Sequence, residues 1–115
     1  MTDRFPRRER LTTSADIQAL FQRGKRIDRP SMIVLWSATA APRRAGFAVS
    51  RQIRGAVRRN RARRRLREAY RAARTVAPAH AAVVIIGRPA SLHTPFATLT
   101  GELREALAEI PGSRL

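Results

Sequence analysis

The sequence predicts a single α+β domain in which helices pack on one sheet. Three observations carry that prediction. Apolar residues recur at helical spacing in three stretches, β-rich apolar runs fill the intervals, and Gly or Pro closes most segments. With 115 residues, 43% of them apolar and 28% charged, the chain has the length and composition of one folded domain with a modest core.

Residues 1–10 are basic and read as an arm; residues 112–115 read as a tail. The first helix follows Leu11. Thr13 is its expected cap, Asp16 lies in the first turn, and Gly24 stops it. Ile17, Leu20 and Phe21, at i, i+3 and i+4, form its apolar stripe. A short strand is expected over 25–28 and stronger ones over 32–36 and 46–50. The loop between the latter two is short, which predicts an antiparallel pair. A helix over roughly 56–75 comes next, closed by Pro78. The uninterrupted apolar run 82–87 predicts a central strand covered on both faces. Thr94-Pro95 starts a last helix, with Thr94 as cap and Pro95 at the first helical position. Its apolar positions are Phe96, Leu99, Leu103, Ala106, Leu107 and Ile110, and Pro111-Gly112 ends it.

Charge dominates the functional outlook. The chain carries 24 basic residues against 8 acidic ones, a net charge of +16, and every basic residue except Lys25 is arginine. From Arg51 to Arg74 eleven arginines face one acid, Glu68. On the helix, Ala62, Leu66, Ala69, Tyr70 and Ala73 share a side suited to lying on the sheet. Asn60, Arg63, Arg64, Arg67, Arg71 and Arg74 share the other, with Arg61 and Glu68 beside them and Arg64 spaced to pair with Glu68. Like charges at i,i+3 and i,i+4 repel, so such a row implies a neutralising polyanion. A membrane surface is a poorer match, because the apolar side of this helix is mostly alanine.

Other function classes find little support. Without cysteine there is neither a disulfide nor a thiolate metal site. No apolar run reaches the roughly 18 residues of a membrane span, and the charged N-terminus lacks an apolar signal core, so a cytoplasmic protein is expected. His80 and His93 have no matching nucleophile or carboxylate nearby in the sequence. The acids are scattered, with Glu102, Glu105 and Glu109 expected on a solvated helix face, and no P-loop, zinc spacing or triad is present. No catalytic or metal-ligating residue is therefore assigned.

One stretch is specific. Ala48-Val49-Ser50-Arg51, followed by Ala56-Val57-Arg58-Arg59-Asn60-Arg61-Ala62-Arg63-Arg64-Arg65-Leu66-Arg67, resembles the signature of the protein subunit of bacterial ribonuclease P. Arg10-Leu11, the run Asp16-Ile17-Gln18-Ala19-Leu20-Phe21, residues 83–86 and Arg88-Pro89-Ala90-Ser91 extend the similarity over nearly the whole chain. The resemblance implies an αβββαβα fold, a four-stranded mixed sheet and a left-handed β–α–β crossover. It implies a protein cofactor of a ribozyme that removes the 5′ leader of precursor tRNA. Catalysis would reside in the RNA, with its Mg2+. No cofactor would be bound by the protein, and its partners would be ribonuclease P RNA and precursor tRNA, with no membrane and no obligate protein partner.

The resemblance further implies ribozyme contacts at Arg59, Asn60, Arg61, Arg63, Arg64, Arg67 and Arg71. The leader cleft would comprise Ile17, Phe21, Trp36, Ser50 and Arg51. Unpaired bases stack on aromatic rings for roughly 1–3 kcal/mol each, so Phe21 and Trp36 suit a basic groove. Ile17 stands where the family usually has an aromatic, Gln52 where it has lysine, and Arg54-Gly55 inverts the usual Gly-x order. A ribosomal or other structural RNA-binding protein would share the size and charge; the Arg59-Asn60-Arg61 triplet after a strand argues against it.

Overall fold

The computed structural model describes residues 9–11 and 14–113; the expected Thr13 cap and most of the basic arm lie outside them. The elements are α1 (Ser14–Arg23), β1 (Lys25–Asp28), β2 (Met32–Ala38), β3 (Arg44–Val49), α2 (Ala56–Ala73), β4 (Ala81–Gly87) and α3 (Phe96–Ala108). Single 3-10 turns at Arg74–Val76 and Pro89–Leu92 follow α2 and β4. The αβββαβα order and the four-stranded mixed sheet match expectation.

The sheet order, β1-β2-β4-β3, corrects one expectation. β2 and β3 are not partners. β4 lies between them, antiparallel to β2 and parallel to β3. Loop length favoured a hairpin, but burial decided otherwise: Val83, Val84 and Ile85 are all buried, so β4 needs neighbours and cover on every side. β3, which carries Arg44 and Gly46, takes the edge. That edge is covered in turn, because Arg10 bridges to Ala45 and the Leu11 N–H donates to the Ala45 carbonyl at 2.7 Å. Gly46 permits the approach, since a Cβ there would stand 3.0 Å from the Leu11 carbonyl oxygen.

Helices cover both faces, unequally. On one, Met32, Val34, Val83 and Ile85 pack with Leu66 and Tyr70 of α2 and Leu99, Leu103 and Leu107 of α3. The residues that α2 buries are Ala62, Leu66, Ala69, Tyr70 and Ala73, those its periodicity selects. On the other face α1 buries Leu20 with Leu11 and Val84, while Ile17, Ala48, Ala82 and Ile86 stay half-buried. α1 therefore leaves an open groove floored by the sheet.

The start of α3 departs from expectation. Pro95 is the N-cap residue and not the first helical one. Thr94 does not cap, because its hydroxyl donates to the Ala90 carbonyl at 2.8 Å. Leu99, Leu103, Ala106, Leu107 and Ile110 are buried, whereas Phe96, at the overhanging first turn, is 45% exposed.

Candidate nucleic-acid interface

The interface begins at the turn joining β3 to α2. The Ser50 N–H extends the β3–β4 ladder to the Gly87 carbonyl, and the Ser50 hydroxyl accepts from the Gln52 N–H at 3.1 Å. Ile53 is buried beneath the turn. Gly55 enters the helix at φ 89°, a conformation that glycine adopts without strain, which accounts for the Arg54-Gly55 order.

Arg59 holds this turn together. Its guanidinium donates to the carbonyls of Ser50 at 3.0 Å, Ile53 at 2.9 Å and Val49 at 3.4 Å. Arg59, which the resemblance implied to contact the ribozyme, is turned onto these carbonyls for a helical reason. It precedes Ala62 by three residues and Leu66 by seven, so it shares their inward side. Arg65, on the other flank, donates to the carbonyls of Ser91 and Thr94 and ties α2 to the β4–α3 connection.

The outward face carries Asn60, Arg61, Arg64 and Arg67, all exposed, with Arg63 and Arg71 half-buried beside them. Arg63 donates to the Asn60 side-chain oxygen at 3.0 Å, which turns the Asn60 amide N–H groups outward. Arg67 stacks over the Phe47 ring, its guanidinium carbon 5.9 Å from the centroid, and Phe47 meets Tyr70 edge-on at 5.8 Å. Glu68 pairs with Arg71 and not with Arg64; an acid N-terminal to its base is the better arrangement along a helix. The side chains of Arg51, Arg54, Arg58, Arg61 and Arg64 are exposed and make no hydrogen bond or ion pair among the described residues. Val57, 81% exposed, sits among them, four residues before Arg61 and seven before Arg64. Sequence reasoning missed it, although its spacing placed it on the arginine side.

Arg74 leaves the outward row. It pairs with Glu9, which also lies 3.6 Å from Arg43, forming a largely buried acid between two arginines. Beside this cluster the Tyr70 hydroxyl is pushed up to about 12, first by burial and then by the Glu9 charge, against the opposing pull of Arg43 and Arg74.

Four of the five residues expected in the groove between α1 and the sheet lie on α1 or just past the end of β3. Ile17 packs against the cluster of Leu11, Leu20 and Val84, as Ala48 and Ile86 do, and Phe21 is 49% exposed. Ser50 and Arg51 follow the end of β3, where Ser50 continues the alternation of Gly46 and Ala48. Trp36 is not among them. It shares the opposite face with Met32 and Val34, packs against the main core, and carries the Lys25 Nζ 5.4 Å from its ring centre. Leu35, register partner of Val84, takes the groove side instead. Strand parity alone identifies it. At the β1 border of this face, Arg26 and Arg88 both donate to Asp28. The Arg26 hydrogen bond, then the two guanidinium charges, hold the Asp28 carboxyl below the usual carboxylate range.

Among the described residues no three of His, Cys, Asp or Glu converge as metal ligands, and no helix is long and apolar enough to cross a membrane. The acids bond internally: Asp16 to Arg44, Asp28 to Arg26 and Arg88, Glu109 to Arg29, and Glu102 to the Ser31 N–H and hydroxyl. Glu102 is thus tied down and half-buried, whereas Glu105 and Glu109 stay exposed, as their spacing suggested.

A cationic helix seated on a mixed sheet, with an open groove on the opposite face, defines a small α+β protein built to hold polyanions. The family model for ribonuclease P matches residues 5–111, and the chain belongs to the ribonuclease P protein family. A ribonuclease P protein component from Acidothermus cellulolyticus is 38% identical over 109 residues, covering 92% of this chain and 91% of that relative. The structure of the ribonuclease P protein from Thermotoga maritima superposes with a TM-score of 0.78 at 30% identity, covering 90% of this chain and 99% of the other. A Staphylococcus aureus ribonuclease P protein, at 19% identity and a TM-score of 0.75, shares the fold over 92% of this chain and 98% of its own.

Proposed function

We propose that the chain is the protein cofactor of the ribonuclease P ribozyme and promotes removal of the 5′ leader from precursor tRNA. The observation that carries this is the division of α2: five residues fasten it to the sheet, while Asn60, Arg61, Arg64 and Arg67 stand outward directly after the turn that ends the groove. The outward row binds the catalytic RNA, with Arg63 and Arg71 at its margins and Arg59 acting through the turn. The groove of Ile17, Phe21, Leu35, Ser50 and Arg51 holds the leader. Guanidiniums supply planar donor forks for phosphate oxygens, and the outward Asn60 amide adds donors that position the helix on the RNA. Phe21 and the half-buried aliphatic floor offer unpaired leader bases a surface to stack on.

Bond cleavage belongs to the RNA partner and the Mg2+ that it holds. The relatives' name, protein component, supports a division of labour, and the acids of this chain are largely engaged in neutralising its own arginines. Function with tRNA precursors supports a cytoplasmic location.

The test compares leader-bearing precursor tRNA with mature tRNA as ligands of the catalytic RNA, with and without the chain. The chain should raise affinity for the precursor selectively, and F21A should remove much of that selectivity. Equal gains for both ligands would contradict a leader groove.

A further inference from the structure

Phe96 opens α3 with nearly half its surface exposed, while Leu99, Leu103, Ala106 and Leu107 of the same helix are buried. It borders an open groove of about 660 Å3 between α2 and α3, whose other walls include Glu68, Arg71, Arg74 and Thr75. Glu68 and Arg71 also belong to the outward side of α2, so the groove continues the arginine face around the helix. Arg71, though paired with Glu68, keeps 35% of its side chain exposed, and Arg74 is fixed by Glu9. A half-exposed aromatic ring sharing a groove with anchored guanidiniums suits one chemistry well: a nucleobase on the ring and its phosphates along the arginines. A protein partner would want a contiguous apolar patch, and among the described residues Phe96 is the one apolar side chain larger than alanine lining this groove.

We propose that Phe96 is a stacking platform for an unpaired base of the RNA bound along α2, extending that interface into the α2–α3 groove. The proposal rests on the RNA-binding role given to α2, and its test separates the two. Affinity for a bacterial ribonuclease P RNA is measured from about 50 to 200 mM salt for the wild type, F96A, F96W and R64A. F96A should bind about 5- to 150-fold more weakly with an unchanged salt slope, because stacking releases no counterions. F96W should retain wild-type affinity, and R64A should lower the slope by about 0.9. Thermal unfolding of F96A should show only a small loss of stability and the variant should stay folded under the binding conditions, since nearly half of Phe96 is open to solvent. Wild-type affinity in F96A, or equal losses in F96A and F96W, would overturn the platform while leaving the α2 interface standing. A flat salt profile for the wild type and R64A would remove both.

Discussion

Arg59 donates to the Ser50 carbonyl at 3.0 Å, so the first arginine of the Arg59-Asn60-Arg61 triplet builds the turn on which the other two stand. Replacing it should act through folding, whereas replacing its neighbour should act through binding. R59A removes the side-chain donor of the Ile53 carbonyl and leaves the Ser50 carbonyl only the Ile53 N–H, and should cost about 1–3 kcal/mol in urea unfolding. R59K should recover little, because one ammonium cannot reproduce a planar fork spanning separate carbonyls. R61A should unfold like the wild type but bind RNA more weakly, with a salt slope reduced by about 1. Equal stability of R59A and R61A would contradict this division.

Glu9 is 8% exposed between Arg43 and Arg74 and fastens the N-terminal segment beside the end of α2. Removing one partner of a buried pair is strongly destabilising; here the arginine side chains keep 20% and 19% exposure, which moderates the cost. E9A should lose roughly 2–4 kcal/mol. The Leu11 amide, bonded to Ala45, should exchange its hydrogen faster in that variant. Unaltered exchange at Leu11 would show that the ion cluster does not hold the segment.

Tyr70 supplies an alkaline signature. It is the sole tyrosine, is fully buried, and ionises near 12 in the folded chain against about 10 when unfolded. Between those values the unfolded chain releases a proton that the folded chain keeps. This contribution to stability is therefore complete below about pH 10 and is lost, by about 2–3 kcal/mol, as pH rises toward 12. Phenolate absorbance should appear only with unfolding or near pH 12. A phenolate titrating near pH 10 in a folded chain would show that the ring is not sealed.

Much of this architecture was legible in the residues. A 3.6-residue period selected the five buried residues of α2, and the continuous apolar run placed β4 at the centre, because burial within one element is written in its own spacing. Pairing between elements was not legible. β3 passes over a nearby partner to reach β4, and only the demand of β4 for cover explains it. Trp36 was assigned by the family resemblance to a groove from which strand parity turns it away. Arg59 and Arg65 look like any other arginine in the row, yet both lie on flanks where carbonyls from distant segments come within reach. A guanidinium's partner depends on what the fold brings to it.

Reconstituted cleavage tests the central claim most directly. The chain is added to a bacterial ribonuclease P RNA at low magnesium, and processing of a leader-bearing precursor tRNA is followed. The wild type should stimulate accurate 5′ cleavage, and combined R61A and R64A substitutions should abolish most of that stimulation while the fold stays intact. Unchanged cleavage with and without the wild-type chain would contradict the account.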